Sequence, residues 1–167
     1  MSDNSAQLIH QFVTAERMRD IDHWIAKYPT DERQSAVMGA LLIVQEQYGY
    51  LTPELMDAVA EYLNMPAIAV YEVATFYTMY EHKQTGRNLV IVCTNISCKL
   101  RDSAAVVQHL ETKLGVKMGE TTEDGRFTLR TVECLGACVN APMMQINKEY
   151  HENLTAEKID KALEQYQ

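Results

Sequence analysis

Four cysteines in two close pairs are the residues of this chain whose type and spacing could do chemistry. Cys93 and Cys98 are separated by four residues, Cys134 and Cys138 by three, and a 35-residue segment lies between the pairs. Thiolates are soft ligands that suit zinc and iron-sulfur clusters. The five histidines are scattered and none lies close in sequence to a cysteine, so we expect a metal centre with four thiolate ligands.

Disulfide bonding is the competing use of paired cysteines. The first 20 residues carry charges throughout and lack the apolar region of a secretory signal. We therefore expect a reducing compartment, where paired thiols serve metals more often than disulfides.

Size and charge exclude several classes of function. The 167 residues suffice for one ordinary domain or two small ones. The longest apolar run, at residues 37–44, is far shorter than the ~20 residues that cross a bilayer. A net charge of −8 argues against a nucleic-acid surface, and no nucleotide-binding or Ser/His/Asp motif is present. We expect no membrane insertion and no nucleic-acid partner, and any catalytic chemistry must come from the metal.

The chain has helical periodicity up to about residue 80. The strongest stripe consists of Met38, Leu41, Leu42, Gln45 and Tyr48. Thr30 or Asp31 is its predicted N-cap, and Gly49 its end. Thr52 and Pro53 predict the start of another helix. A weaker stripe comprises Met18, Ile21, Trp24 and Ile25. These patterns predict a bundle of three or four helices.

Residues 71–80 are unusually rich in Tyr, Phe and Met. Such a stretch is either core or an interface, where aromatic residues and Met are enriched. Residues 81–88 contain no large apolar side chain and predict a linker. We therefore expect two domains, a partner-binding helical bundle at residues 1–85 and a metal-binding domain at residues 86–167.

Strand patterns appear in the second half of the chain. An apolar run ends at Cys93, a helix begins at Asp102 or Ser103, and a second strand runs from Phe127 toward Cys134. Two more strands are predicted at 143–146 and 149–151, before a last helix capped by Thr155. A strand-helix-strand crossover makes the two flanking strands parallel, so both cysteine pairs should lie in loops at one carboxyl edge of the sheet.

The cysteine spacing does not decide the metal. Loops of four and three residues remain compatible with structural zinc. The proline-free loop at residues 94–97 offers amides to sulfur, and Gly136 allows either a positive φ or a close backbone approach. A helix N-terminus after Cys98, near Lys99 and Arg101, would suit an anionic group. These features favour an iron-sulfur cluster and leave zinc open.

The cysteine segments resemble a known family. VCTNISC at 92–98, ECLGAC at 133–138 and the Ala-Pro pair at 141–142 resemble the thioredoxin-like 2Fe-2S ferredoxins. QYGYL at 47–51 and VATFYTMY at 73–80 resemble the N-terminal domain of the small iron-sulfur subunit in the NADH dehydrogenase module of respiratory complex I.

The resemblance implies an N-terminal helical bundle followed by a thioredoxin-like α/β domain, with a cis peptide bond before Pro142. It implies a 2Fe-2S cluster with four ligands: Cys93, Cys98, Cys134 and Cys138. FMN and the NADH site would lie on a flavoprotein partner, with other iron-sulfur subunits nearby in the peripheral arm of an inner-membrane complex on the cytoplasmic side. The assembly would pass electrons from NADH to quinone, coupled to proton translocation, and the isolated chain would not be catalytic.

Two alternatives remain at this point. The equivalent subunit of an NAD-reducing hydrogenase or a formate dehydrogenase shares these motifs. A zinc-stabilised assembly module, in which the helices only hold a partner, is an alternative of a different class.

Overall fold

The computed structural model describes residues 7–166, so the first six residues of the predicted bundle lie outside the described part. The chain divides into two compact units, with the boundary between Gln84 and Thr85. Each unit has its own hydrophobic core, and we describe them separately.

Five α-helices form the described part of the first unit, where the sequence patterns predicted three or four. They are α1 (Gln7–Phe12), α2 (Ala15–Ile25), α3 (Val37–Tyr48), α4 (Pro53–Leu63) and α5 (Ala67–Phe76). The extra helix arises near the start, where Thr14 separates α1 from α2. The Thr14 hydroxyl accepts a hydrogen bond from the Arg17 amide (3.4 Å), which caps α2.

The predicted start of α3 is wrong, and its end is confirmed. Thr30 and Asp31 do not cap it, because a 3₁₀ turn at Arg33–Ala36 leads directly into the helix. Gly49 ends it in the left-handed conformation, with φ of +83°. In the predicted stripe only Leu41 is fully buried. Because α3 is apolar almost all round, its sequence pattern does not identify which face of the helix is buried.

The ends of α4 agree with the sequence signals. The Thr52 hydroxyl accepts a hydrogen bond from the Leu55 amide (3.4 Å), and Pro53 occupies the first helical position. Asn64 ends the helix with φ of +56°. The sequence alone predicted both ends of α4, because each of these signals acts within one turn of the helix.

The predicted linker at residues 81–88 is shorter in the structure. The Glu81 amide donates to Oε1 of Gln45 (2.7 Å), within the first unit. The Gly86 amide donates to Oγ1 of Thr128 (2.7 Å), within the second, and Asn88 already belongs to a strand. Polar composition predicted a solvated segment, but both of its ends are fixed by hydrogen bonds to one unit or the other.

A four-stranded mixed sheet organises the second unit. Its strands are β1 (Asn88–Cys93), β2 (Phe127–Val132), β3 (Met144–Ile146) and β4 (Glu149–His151), in the order β2-β1-β3-β4. Its helices are α6 (Ile96–Leu100), α7 (Ser103–Leu114) and α8 (Ala156–Glu164). β1 and β2 are parallel, as the crossover through α7 predicted, and the other two pairings are antiparallel.

Large apolar side chains fill the core of this unit. Phe127 and Leu129 of β2, Leu110 of α7 and Ile159 of α8 are at most 1% exposed. The peptide bond before Pro142 is cis, as the family resemblance implied. Within residues 7–166 no helix has the length and apolar character needed to cross a membrane.

Candidate metal centre

The first cysteine pair belongs to regular secondary structure. Cys93 is the last residue of β1, and Cys98 lies inside α6; they are 2% and 1% exposed. The prediction that both lie in a loop is therefore wrong. Asn95 is the reason, because its side chain accepts a hydrogen bond from the Ile96 amide (2.6 Å) and so starts a short helix.

The second pair lies on the surface. Cys134 is in the loop after β2, and Cys138 begins a 3₁₀ turn; both are exposed. Their sulfur atoms are 3.9 Å apart. Gly136 lies between them with φ of +86°, and its amide donates to Sγ of Cys134 (3.3 Å). No protein atom would lie within 4 Å of a Cβ at this position, and the positive φ by itself favours glycine here.

Both pairs lie at the carboxyl edge of the parallel strands, as predicted. Cys93 is opposite Val132 in the β1–β2 register, which places Cys134 two residues beyond that pair. The Cys93 thiol also donates to the carbonyl oxygen of Glu133 (3.4 Å). The crossover therefore brings the two cysteine segments together across 35 residues of sequence.

A small apolar cluster surrounds the first pair. Cys93 and Cys98 pack with the buried side chains of Ala141 and Met143. Two residues of the other cysteine loop, Leu135 and Ala137, are half-buried against the same cluster. The apolar side chains thus shield one side of the site from water and leave the other open.

The electrostatic environment of Cys98 disfavours its thiolate. Burial is the main factor that raises the pKa of this thiol above its ordinary value, and the hydrogen bond with Cys93 adds to it. A backbone hydrogen bond with Met143 lowers the pKa of Cys98, and coulombic interactions with Cys93 and Cys138 raise it. Burial therefore favours the protonated thiol of Cys98, and a metal that bound there would have to displace this proton.

The spacing of the second pair fits two thiolates on one tetrahedral metal. Two ligands on one tetrahedral metal with bonds of ~2.3 Å are ~3.8 Å apart, close to the 3.9 Å between Cys134 and Cys138. All four cysteines are free of disulfides. Within the described residues, no three Cys, His, Asp or Glu side chains are assembled around a single-ion position.

The sequence predicted that the amides of residues 94–97 donate hydrogen bonds to sulfur, and this prediction is wrong for two of them. The Thr94 amide donates to the carbonyl oxygen of Val132 (3.0 Å), and the Ile96 amide donates to its neighbour Asn95. The Thr94 amide extends the pairing at the end of the sheet, and the Ile96 amide caps α6, so both donors are already occupied. The Gly136 amide instead supplies a hydrogen bond to sulfur.

Three exposed apolar side chains border the cysteines, and sequence reasoning missed them. Ile96, Leu100 and Val139 are 72%, 82% and 93% exposed. Each lies within two residues of Cys98 or Cys138 in the chain. Apolar residues inside the cysteine segments could have indicated a contact surface.

Comparison with known proteins gives a consistent family. A family profile for thioredoxin-like 2Fe-2S ferredoxins matches residues 21–167. The E-2 subunit of NADH-quinone oxidoreductase from Rhizobium meliloti (strain 1021) is 47% identical over 147 residues, which are 88% of this chain and 86% of that protein. The mitochondrial protein NADH dehydrogenase (ubiquinone) flavoprotein 2 of Dictyostelium discoideum is 42% identical over 98% of this chain and 66% of its own length.

A solved structure shares the fold. An NAD+-reducing NiFe-hydrogenase in the H2-reduced state aligns with a TM-score of 0.64 and 21% identity over 75% of this chain. The aligned part is 21% of the hydrogenase chain, so the chain matches about a fifth of that longer polypeptide.

Proposed function

The chain belongs to the thioredoxin-like 2Fe-2S ferredoxin family, and from that premise we propose that Cys93, Cys98, Cys134 and Cys138 hold one 2Fe-2S cluster. The observation that carries the proposal is the convergence of two thiol pairs at one edge of the sheet, one pair 3.9 Å apart. When bound, such a cluster accepts and releases single electrons. The chain's own residues hold it and shield its inner side.

The proposed role is electron transfer within a proton-translocating NADH:quinone oxidoreductase. The relatives named as E subunits of NADH-quinone oxidoreductase support this assignment. FMN and NADH would bind to a flavoprotein partner, and further iron-sulfur subunits would continue the path to quinone. The complex would place the chain in its peripheral arm, on the cytoplasmic side of the inner membrane. The isolated chain would not oxidise NADH.

The surface beside the cysteines suits the approach of an electron-transfer partner. Burying Ile96, Leu100 and Val139 under a partner would remove apolar surface from water and shorten the electron path to the cysteines. Lys99 and Arg101 are also exposed here, in a chain whose net charge is −8. Exposed Asp102 and Glu133 balance these two charges, so the apolar side chains, and not charge, would favour the partner.

The helical unit, predicted at residues 1–85 and ending at Gln84 in the structure, would attach the chain to the flavoprotein. On α5 and the turn after it, Ile68 is 68% exposed, Phe76 77%, Tyr77 39% and Met79 43%. A helix that is apolar on its outer face is typical of an element with a partner. These four residues form the proposed attachment surface.

Metal analysis of the purified chain tests the cofactor. The proposal predicts iron and acid-labile sulfide in equal amounts and a reddish-brown protein that becomes paramagnetic on reduction. Stoichiometric zinc in a colourless protein without sulfide would instead establish the zinc-stabilised assembly module.

Co-purification with the flavin subunit tests the attachment surface. Ile68→Ser combined with Phe76→Ser should lower retention of the flavin subunit, because interface energy concentrates in a few large apolar anchors. Arg19→Ser, an exposed change on α2 of the same unit, is the control and should not alter retention. Equal retention of the double variant and the control would remove α5 from the interface.

The subunits that co-purify also identify the host enzyme. Quinone-linked subunits would support NADH:quinone oxidoreductase. Hydrogenase or formate dehydrogenase subunits would assign the chain to the related NAD-linked enzymes.

A further inference from the structure

The loop that carries Cys134 and Cys138 packs against the core through two half-buried side chains, Leu135 and Ala137, and the rest of it is exposed or only partly buried. Both cysteines are exposed, and Val139 is 93% exposed. Ordering a backbone segment costs ~1–2 kcal/mol per residue, which exposed loops do not recover through apolar burial. Metal ligands nevertheless need fixed positions, and hydrogen bonds from outside the ligand set commonly supply them.

A tyrosine on β4 fixes one peptide group of this loop. The Tyr150 hydroxyl donates to the carbonyl oxygen of Leu135, at 2.6 Å. This carbonyl and the amide of Gly136 belong to the same planar peptide group, with the C=O and N–H on opposite sides. The amide donates to Sγ of Cys134, at 3.3 Å. The Leu135–Gly136 peptide is therefore held from the outside by Tyr150 and directs its N–H toward a ligand sulfur.

The segment just after β4 holds the other end of the loop. Nδ2 of Asn140 donates to Oε2 of Glu152, at 2.7 Å. The Asn140 carbonyl oxygen accepts a hydrogen bond from the Asn153 amide, also at 2.7 Å. Tyr150, Glu152 and Asn153 thus restrain the loop on both sides of Cys138, and we call these three residues the loop clamp.

Resting on the proposed cluster, we propose that Tyr150 and Glu152 are positioning residues for it. Tyr150 maintains the N–H···S hydrogen bond to Cys134 through the Leu135–Gly136 peptide, and Glu152 keeps Asn140 in place. Hydrogen bonds to cluster sulfurs raise the reduction potential, because they stabilise the more negative reduced state. Tyr150 therefore raises the reduction potential, and the loop clamp slows loss of the cluster.

Replacement of the tyrosine hydroxyl separates this role from simple fold stabilisation. Tyr150→Phe keeps the ring and removes the donor to Leu135. Tyr166→Phe is the matched control, because the Tyr166 hydroxyl donates to the Glu149 carboxylate (2.8 Å), outside the cysteine loop. Both variants, with their clusters bound, are compared with the parent chain in a spectroscopic redox titration and in a chelator-driven cluster release assay.

The proposal predicts a more negative potential and several-fold faster release for Tyr150→Phe, with the Tyr166→Phe potential equal to that of the parent. An unchanged potential in Tyr150→Phe, with the cluster present, would overturn the positioning role while leaving the proposed function intact. A parent chain that contains no iron would overturn both.

Glu152 supplies a second test that does not depend on the Tyr150 variant retaining its cluster. Glu152→Ala removes the acceptor for Asn140 and should release the cluster several-fold faster. Glu152→Gln keeps an acceptor oxygen and should restore the parent rate. Equal release rates for Glu152→Ala and the parent would contradict the clamp.

Discussion

The two cysteine pairs lie in opposite environments. Cys93 and Cys98 are buried, one at the end of β1 and the other within α6. Cys134 and Cys138 are exposed on a loop shaped by Gly136, which has positive φ. Regular hydrogen bonding and full burial hold the first pair, whereas the loop of the second is held by the half-buried Leu135 and Ala137, one glycine conformation and contacts from the β4 region.

This difference gives the two sides of the site different properties. A buried pair provides a fixed and water-poor side, which strengthens electrostatic interactions. An exposed pair leaves a side that a partner protein can reach. We expect damage to the site to begin at the exposed pair, because exposed loops open at lower free energy than core elements.

The largest expected effect follows from removing a ligand. Replacing any one of the four cysteines by Ala should abolish the visible spectrum and the bound sulfide, since the proposed cluster would use all four thiols. His109→Ala is the control, because His109 bonds Asp160 (2.9 Å) away from the cysteines and its loss should leave the cluster in place. A Cys138→Ala protein with the parent spectrum would remove that residue from the ligand set.

The reactivity of the thiols should differ strongly in the metal-free chain. Alkylation requires an accessible thiolate, and burial both raises the pKa of Cys98 and blocks access to it. Cys134 and Cys138 should react with iodoacetamide at least about tenfold faster than Cys98, as mass spectrometry of the digested protein would show. In denaturant the difference should vanish. Uniform reactivity in the native chain would mean that the first pair is not protected.

Gly136 tests the backbone requirement of the exposed loop. Gly136→Ala should cost ~1–2 kcal/mol, because a residue with a Cβ is strained at φ of +86°, and cluster release should accelerate several-fold. Gly115→Ala is matched to it, since Gly115 also has positive φ (+70°) and open space, but it ends α7. The Gly115 variant should lose similar stability and keep the parent release rate. Equal release rates for the two variants would make Gly136 incidental to the site.

The smallest effect on the site is expected from a change in the helical unit. A Cβ on Gly39 would lie 2.6 Å from Cδ2 of Trp24, so Gly39→Ala should destabilise this unit by ~1–3 kcal/mol. Thermal unfolding followed by tryptophan fluorescence would measure the change, because Trp24 is the single tryptophan of the chain. Iron content should remain that of the parent. Loss of iron would mean that the two units are energetically one domain.

Local and long-range features differed in how well sequence predicted them. Thr52, Pro53 and Asn64 set the ends of α4 within single turns, and one crossover predicted the parallel strands. The hydrogen bond from Tyr150 to Leu135 joins residues 15 positions apart and depends on how β4 lies against the cysteine loop. No pattern in either segment specifies that contact, since it exists only after the sheet has formed. The sequence pattern did not predict the short helix α6 for a different reason. The start of this helix depends on a single hydrogen bond to the Asn95 side chain.

Iron K-edge X-ray absorption of the purified chain tests the central claim most directly, because it reports the atoms bound to the metal. A single 2Fe-2S cluster held by Cys93, Cys98, Cys134 and Cys138 predicts an all-sulfur first coordination shell and a second iron atom at short distance. Nitrogen or oxygen ligands, or an iron with no iron neighbour, would contradict the account.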